Sequence, residues 1–571
     1  MMLLLSRFTL LLMVLDFLFM GYLTVTGFPP QIAGETLHLK NMRKPFLTFI
    51  FLGILFLVFH PKRREKIALL KERLTAFAAK PYAIWLLAGF YAVIFLWQQM
   101  SEYYAIQINF IPFEFFDYIL YFLFKGKVNF TGWLHRYYHL NNIMILLAPF
   151  WYFFKSPLFL EVIYGPLAAA AAVPLYGIAK QRFQDPLPAL LTAFIYLNYR
   201  YLQNVLLMNF CVEIFYPLFL FSALYFALKN RWKSYFACVL LGLLVKEDSF
   251  LYFSALGMIV AFLPHRKVVV HHETGMTRFS PLTEEPKLVP IRWVVAFFTV
   301  FFSIAYFIFL TKVFIPLTGN DIWKDNLNNF EGYGESTGQI LWNLLTAPRL
   351  FVEVLFGSPE KLRTWFNLVS RLAFLPFLTP AAAFIAVPVF PLFFHHTGRD
   401  TDFVDLRFHY AAAVLPFLFI AFVFGFSNLY HRISLRRRTL FLWITALVLI
   451  LLNGGNFVTR PVTVETLKSI EWARRVPQGA NLVTHGHLLP YVGYREYNYY
   501  FSAPLELREH PAHEAYAKAD YYLIDFNVDP YPMDRGYLTD KLKKLEKDPD
   551  YVLMGADGER YLFKRKVYRG G

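Results

Sequence analysis

The sequence predicts an all-α polytopic transmembrane bundle of about 11 to 14 helices, with a small C-terminal α/β domain outside the membrane. The first observation is composition: 57% of the 571 residues are hydrophobic and 17% are charged, which is typical of a lipid-embedded chain. The second is the content of 64 Phe, 36 Tyr and 11 Trp, because bilayers accept Phe inside and Tyr or Trp at the headgroups. The third is a series of apolar runs of span length, which the C-terminal part of the chain lacks.

Candidate spans follow from length, since a helix needs roughly 20 apolar residues to cross a hydrocarbon core of about 30 Å. The N-terminal run, Met1–Thr26, has no small-residue cleavage pattern and is interpreted as an uncleaved first helix. The clearest spans lie near 7–27, 45–60, 83–98, 160–179, 205–228, 293–316, 372–394, 408–428 and 438–455. Shorter or interrupted candidates lie near 141–155, 187–203, 234–262 and 340–357.

The basic residues predict an orientation. Lys and Arg stay on the cytoplasmic side of short loops, which explains the net charge of +16 better than binding to nucleic acid does. The basic loops at 62–80, 229–233, 264–292 and 431–438 are therefore predicted inside, and 99–140 and the C-terminal domain outside a plasma (inner) membrane. Strict alternation fails within 141–204, so one short segment there is expected to be re-entrant or interfacial.

Four regions follow from this reading. Residues 1–98 hold the N-terminal helices and a cytoplasmic basic loop, and 99–140 form an acidic, aromatic outer loop. Residues 141–455 form the transmembrane core, and 456–571 the soluble domain. In that domain TLKSIEWARRV and LTDKLKKLEK predict helices, ADYYLIDF a buried strand, and YVLMGADGERYLFKR a hairpin that turns at Asp557-Gly558.

The outer loop carries the first candidate site. Glu114 and Asp117 are three residues apart, which on a helix puts both carboxylates on one face. There they could share a proton, hold a divalent cation, or act as a base toward a hydroxyl group. The alternative is an interfacial amphipathic helix with a solvated acidic edge.

A second candidate is the triplet Lys246, Glu247 and Asp248 in GLLVKEDSFLYF. Three adjacent charges at membrane depth need a compensating polar cavity, and a Lys suits a lipid-linked phosphate. The triplet is interpreted as a phosphate contact or a structural lock, with ion pairing at a helix break as the alternative.

Cationic groups also precede two spans, as His135, Arg136 and His139 and as Arg407 and His409. On the outer side they could hold a phosphate or pyrophosphate headgroup, although headgroup anchoring explains any single one of them slightly better. Glu213, in MNFCVEIFYP, is an isolated carboxylate that fits a helix N-terminus as well as a catalytic role.

Signals of other chemistry are weak. His485 and His487 lie on one side of a possible strand, but no third ligand at a recognisable spacing follows, so no metal site is predicted. Cys211 and Cys238 both lie in apolar segments. The sequence contains no phosphate-binding glycine loop, nucleophile elbow or zinc-protease helix.

Several stretches, read in order, resemble a known family: FFDYILYFLFKG, HLNNIMILLAPFWYFFKSP, MNFCVEIFYPLFL, LLVKEDSF and RFHYAAAVLPFLF. Over residues 95–530 the order is similar to the bacterial and archaeal predicted membrane proteins of domain of unknown function 2079. That group is in turn similar in layout to the GT-C superfamily of membrane glycosyltransferases. Two positions depart from the family pattern, with Pro112 in place of an Asp and Cys211 in place of a His.

The resemblance implies transfer of a sugar from a polyprenyl-phosphate donor to a glycan, lipid or protein acceptor at the outer membrane face. Asp117 or Glu114 would deprotonate the acceptor, or the member has lost activity. Lys246, Arg407 and His139 would hold the lipid phosphate, and Glu213 would orient the acceptor or help to hold a metal ion. The alternatives are a transporter or lipid flippase, and a non-catalytic scaffold whose C-terminal domain binds a partner.

Overall fold

The structure is a computed structural model, and it describes most of the chain. The longer described ranges are 2–28, 39–107, 140–154, 158–262, 288–314, 347–394, 408–477, 479–492, 516–530 and 533–566. The structure also describes short stretches at 31–32, 35–36, 268–270, 277–279, 404–406 and 498–501. It further describes the single residues 116, 120, 156, 316, 334, 339, 342, 343 and 346.

Most of the described chain is helical. The helices before the first long gap are α1 (Met2–Thr26), α2 (Arg43–Phe59), α3 (Arg63–Ala78) and α4 (Ala83–Tyr104). The central ones are α5 (Met144–Phe154), α6 (Leu158–Ala170), α7 (Ala172–Phe183), α8 (Pro186–Asn198), α9 (Arg200–Leu206), α10 (Phe215–Leu228), α11 (Trp232–Leu243), α12 (Ser249–Phe262) and α13 (Leu288–Phe309). The later ones are α14 (Pro348–Phe356), α15 (Pro359–Ser370), α16 (Ala386–Phe394), α17 (Ala411–Arg432), α18 (Leu435–Asn453), α19 (Val464–Arg474) and α20 (Arg535–Lys547).

The predicted fold class is confirmed: the chain is an all-α bundle with a small C-terminal α/β unit. Among the described residues, five helical segments are long and apolar enough to cross a membrane. They are Met2–Thr26, Ala83–Tyr104, Leu158–Phe183, Pro290–Phe314 and Ala411–Arg432. Shorter apolar helices, α5, α8 and α10 to α12 among them, fill the spaces between these segments.

Helix α17 is the centre of the bundle, since nearly all its side chains are buried. Tyr196 and Tyr199 pack edge-on against its Phe419, with ring centroids 5.3 Å apart in both pairs. Gly425 lets a neighbouring segment approach, because a Cβ at this position would lie 1.9 Å from the carbonyl oxygen of Leu375. Close packing of this kind, at small residues, is one of the main forces that hold membrane helices together.

The predicted span 372–394 is not one continuous helix. Ala373 and Phe374 have positive φ angles of 51° and 56°, which end the preceding helix α15 after a short turn. The short 3-10 helices Leu375–Leu378 and Pro380–Ile385 follow, and α16 completes the segment. Pro376 and Pro380 explain the break, because proline has no N–H group to donate and restricts the residue before it.

The two ends of the bundle differ in chemistry. Residues from 456 onward pack against one end, called here the sheet end, where Arg460 lies 2.8 Å from Glu102 at the last turn of α4. At the opposite end, Tyr430 donates a hydrogen bond to Asp185, just before the basic segment 431–438, and α3 packs against α8. Two basic segments among the described residues, α3 and 431–438, therefore lie away from the sheet end.

Helix α5 begins and ends at the sheet end. Before it, the N–H of Ile143 donates to Leu244, in the turn that also holds Lys246. After it, α6 begins with Glu161, which accepts a hydrogen bond from the N–H of Phe210. The helix has 11 residues, too few to span a bilayer, and it exposes large apolar side chains. Helix α5 therefore fits the short re-entrant or interfacial segment expected within 141–204, and that assignment stays a prediction.

The C-terminal unit is a five-stranded sheet with helices. Its strands are β5 (Leu482–Thr484), β6 (Asn498–Tyr500), β7 (Tyr521–Asp525), β8 (Tyr551–Asp557) and β9 (Arg560–Arg565), in the order β6-β5-β7-β9-β8. Strand β5 is parallel to β6 and β7, whereas β9 is antiparallel to β7 and β8. The hairpin β8–β9 turns at Asp557-Gly558, where Gly558 has a φ of +63°, as its sequence predicts. Two further antiparallel pairings among the described residues lie outside this unit: β1 (Gln31–Ile32) pairs with β2 (Glu35–Thr36), and β3 (Val268–Val270) with β4 (Thr277–Phe279).

Several hydrogen bonds fasten this unit to the bundle. The N–H of Arg460 donates to the Ser101 hydroxyl, and the Tyr491 hydroxyl donates to the carbonyl oxygen of Tyr103. The N–H of Phe28, which follows α1, donates to Thr459 at 2.6 Å. The unit is thus held against the ends of both α1 and α4.

Arg560 joins the sheet to helix α19, so its side chain should contribute to the stability of the C-terminal unit. Its buried guanidinium lies 3.2 Å from Asp525 on β7 and 2.5 Å from Glu465 on α19. Replacing Arg560 by Leu should lower the free energy of unfolding by about 2 kcal/mol, because the fully buried Asp525 carboxylate loses its cation. The measurement is thermal unfolding of the full-length protein in detergent. Arg565→Leu, on the same strand but bonded to a backbone carbonyl, is the control, and equal losses for both variants would contradict this account.

Candidate functional site

Three predicted site residues meet at the sheet end. The Lys246 ammonium lies 2.9 Å from the Glu213 carboxylate, and His409 Nε2 lies 3.7 Å from the same oxygen. The side chains of Lys246 and Glu213 are each 9% exposed, and that of His409 is 22% exposed. We call these three residues the Glu213 cluster.

Local structure brings the cluster together from three parts of the chain. Glu213 is in the 3-10 turn Val212–Ile214, which starts the apolar helix α10. Lys246 lies in the break between α11 and α12, where the Ser249 hydroxyl donates to the Leu243 carbonyl and so replaces a lost helical bond. His409 is in the 3-10 turn Phe408–Tyr410, directly before α17. Each group stands at a helix start or break, which is where a polar side chain reaches the rim of an apolar bundle.

The other two charges of the triplet also have partners. Glu247 accepts a hydrogen bond of 2.8 Å from the N–H of Leu140. Asp248 accepts hydrogen bonds from the hydroxyl groups of Tyr216 and Tyr252, at 2.5 and 2.9 Å. All three members of the triplet therefore contribute to the packing of the sheet end, as a structural lock would.

The segment 99–140, predicted as an outer loop, makes a hydrogen bond at each of its described ends. The N–H of Gln107 donates to the carbonyl oxygen of Glu102, and Leu140 bonds to Glu247 as described above. Within the loop, Phe116 is buried and packs edge-on against Phe210, with ring centroids 5.3 Å apart. Phe210 precedes Glu213 by three residues. The predicted residues Glu114, Asp117, His135, Arg136, His139 and Arg407 lie outside the described residues.

Two further buried groups lie beside the cluster. Glu161, in α6, is fully buried and was not singled out from the sequence, although an isolated carboxylate within LFLEVIYG is a usable signal. The Cys211 thiol lies 3.0 Å from the Tyr164 hydroxyl. Both groups therefore lie in the buried surroundings of residues 209–213.

A family of predicted membrane proteins, DUF2079, matches residues 115–552. The chain belongs to this family. The matched range contains the whole Glu213 cluster, the triplet and most of the C-terminal sheet. No curated protein matches the sequence.

In this DUF2079 member, the described residues contain no group of three His, Cys, Asp or Glu side chains that could hold a metal ion. The prediction that His485 and His487 share a strand is wrong. Strand β5 ends at Thr484, and His485 precedes the 3-10 helix Gly486–Tyr491. His485 is fully buried, and its Nε2 accepts a hydrogen bond of 2.9 Å from the N–H of Asp525. That bond occupies the nitrogen lone pair that a metal ion would need.

The burial of His485 predicts how stability depends on pH in this DUF2079 protein. Burial is the main cause that lowers the pKa of His485 from 6.5 to about 3. As the pH falls below 6.5, the unfolded chain therefore binds a proton that the folded chain does not bind until about pH 3. Folding stability should decline across this window, by at most about 1.4 kcal/mol per pH unit from this group.

The measurement is the melting temperature of the full-length protein in detergent at about pH 7.5, which is above the window, and at about pH 4.5, which is within it. His485→Gln keeps an acceptor for the Asp525 N–H but does not titrate, so its melting temperature should change less between the two conditions. His487→Gln should behave like the wild type. A His485→Gln variant with the wild-type pH dependence would contradict the assignment.

Proposed function

We propose that this protein is a membrane glycosyltransferase that moves a sugar from a polyprenyl-phosphate donor to an acceptor hydroxyl group. The observation that carries the proposal is the Glu213 cluster, in which an acid, a cation and an imidazole meet at one end of an apolar bundle. Buried polar groups of this kind are costly and mark functional sites in membrane proteins. The acceptor is a glycan, a lipid or a protein.

The chemistry requires few groups, because a polyprenyl phosphate is already a good leaving group. A carboxylate base takes the proton of the acceptor hydroxyl, and cations stabilise the charge that develops on the departing phosphate. Asp117 or Glu114 is proposed as the base. The anchoring of the loop at Glu102 and Glu247, and the contact of Phe116 with Phe210, support this assignment.

The cluster itself would bind the sugar. The carboxylate of Glu213 would accept a hydrogen bond from a sugar hydroxyl, while Lys246 holds that carboxylate in position. His409 has the most exposed side chain of the three and would donate to the substrate from the rim. His139 and Arg407 are proposed to contact the phosphate.

The proposed reaction takes place at the outer face of the plasma (inner) membrane. The C-terminal domain, 456–571, and the outer loop, 99–140, would then cover the site from outside. The position of α3 and of 431–438 at the opposite end supports a cytoplasmic location for that end, because Lys and Arg prefer the cytoplasmic side.

The experiment is binding of polyprenyl-phosphate sugars to the full-length protein in nanodiscs. We expect saturable binding that is tighter than binding of polyprenyl phosphate without a sugar, and Glu213→Gln should remove that difference. Glu353→Gln, in α14 and outside the cluster, is the control. An absence of binding to every lipid-linked sugar, together with unchanged glycans in a deletion strain, would refute the proposal.

A non-catalytic scaffold is the second candidate, because all three charges of the triplet have partners within the fold. The two readings differ in what the loop carboxylates do. The double variant Asp117→Asn/Glu114→Gln should abolish the cellular function of an enzyme and leave that of a scaffold largely intact.

A further inference from the structure

A cavity at the sheet end contains arginines whose charges are not balanced. Its volume is about 570 Å³, within the usual range for small-molecule sites. Arg200, Arg363 and Asp405 line it, together with the polar side chains of Tyr201, Asn204, Thr364 and Asn367. None of the cationic groups in this cavity was singled out from the sequence.

The described side chains that line the cavity carry a net positive charge. Arg363 lies 3.1 Å from Asp405 but keeps a side chain that is 61% exposed. Arg200 is exposed and has no ion pair within the part of the chain that the structure describes. Asp405 is thus the one carboxylate among the described residues that line the cavity, set against two guanidinium groups.

Two more arginines add to the positive field. Arg43 and Arg371 both donate hydrogen bonds of 3.0 Å to the carbonyl oxygen of Leu452, near the end of α18. Carbonyl groups satisfy their N–H donors but do not cancel their charge. The charge of Arg200 acts on both arginines, and such repulsion between like charges is relieved when an anion binds.

We propose that this cavity is a binding site for a phosphate or diphosphate group. The guanidinium fork matches phosphate oxygens in a bidentate way, which favours Arg over Lys for this purpose. The amide groups of Asn204 and Asn367 and the Tyr201 hydroxyl supply further donors around the anion. The group is carried by a lipid headgroup or by a free phosphate compound.

The site adjoins the Glu213 cluster through one short segment. Asp405 points into the cavity, and His409, four residues later, faces Glu213. A headgroup bound by Arg200 would therefore lie along the same turn as the cluster. The cavity and its charges favour binding of an anion whether or not the protein transfers sugars.

The test measures binding of inorganic pyrophosphate to the full-length protein in nanodiscs of phosphatidylcholine. Arg200→Gln should weaken binding about tenfold or more, since it removes a charge-assisted contact. Asp405→Asn should tighten binding, because it removes a carboxylate that repels an anion and that pairs with Arg363. A gain in affinity cannot result from misfolding, so the two opposite changes together identify the site.

Arg432→Gln is the matched control. Arg432 is exposed and lines another cavity, of about 480 Å³, beside Asn428. Its substitution should leave pyrophosphate affinity within about twofold of the wild type. Equal affinities for Arg200→Gln, Arg432→Gln and wild type, or no binding of pyrophosphate to the wild type, would overturn the proposal.

A second arm identifies the source of the phosphate. In nanodiscs that contain phosphatidylglycerol, a lipid headgroup that occupies the cavity would compete and weaken pyrophosphate binding to the wild type. The competition should disappear in Arg200→Gln. Unchanged affinity in the anionic nanodiscs would support the site and assign it to a free phosphate compound.

Discussion

Replacing Lys246 by Met is expected to destabilise the protein by about 3–5 kcal/mol. The substitution keeps the length of the side chain and removes the ammonium group that lies 2.9 Å from Glu213. A buried carboxylate is then left without its cation, and the apolar surroundings make this costly. The measurement is the melting temperature of the purified protein in detergent, together with its yield from the membrane fraction.

The double variant Glu213→Gln/Lys246→Met separates stability from function. It removes both charges, so it should recover at least half of the melting temperature that the single variant loses. Under the proposed function it should still fail to discriminate lipid-linked sugars from the bare lipid phosphate. Lys312→Met, at an exposed position beyond α13, is the control and should melt like the wild type. A single variant that is as stable as this control would contradict the ion pair.

Replacing Gly425 by Leu should destabilise the bundle by roughly 3 kcal/mol or more. A Cβ at this position would lie 1.9 Å from the Leu375 carbonyl oxygen, and a backbone atom cannot rotate away as the end of a side chain can. The 3-10 segment Leu375–Leu378 would have to move off α17. Thermal unfolding in detergent measures the loss.

Gly89→Leu is the matched control for this substitution. Gly89 is also in a long apolar helix, α4, and a Cβ there meets no atom within 4 Å. We expect its melting temperature to equal or exceed that of the wild type, since Leu is a better helix former than Gly. Similar losses for the two variants would mean that helix propensity, rather than close packing at Gly425, determines the result.

Much of the fold could be predicted because it depends on local patterns. Apolar length identified the five described segments that are long and apolar enough to cross a membrane, whereas the predicted span 205–228 is divided between α9 and α10. The period of the C-terminal segments predicted α19, α20, β7 and the β8–β9 hairpin. The break within 372–394 was missed, since hydropathy does not register positive φ angles at Ala373 and Phe374. Pro376 and Pro380 were the available signal for it.

The site could be predicted only in part. The cost of burying a charge is visible within one segment, whereas the pairing of two charges depends on how distant segments pack. The triplet and Glu213 were found individually, since each interrupts an apolar run. Their pairing was not foreseen: Glu213 and Lys246 are 33 residues apart and become partners through the packing of α10 against α11. From the sequence, Lys246 is interpreted as a phosphate contact. In the structure its ammonium group already has a carboxylate partner, Glu213, which the sequence did not indicate.

The arginine cavity was missed for a different reason. Arg200 follows an apolar helix, where a cation usually indicates headgroup anchoring, and Arg363 lies in an amphipathic stretch. Nothing in either stretch indicates that both line one cavity with Asp405. The path of the chain between α15 and α17 determines this neighbourhood.

The most direct test of the central claim is formation of free polyprenyl phosphate from a radiolabelled polyprenyl-phosphate sugar. Membranes that contain the overproduced protein supply the acceptor, and membranes from a deletion strain provide the background. We expect the wild type to release polyprenyl phosphate above background, and Asp117→Asn/Glu114→Gln to release none while it folds and binds the donor. Equal release from the wild type, the double variant and the deletion background would contradict the proposal that this end of the bundle transfers sugars.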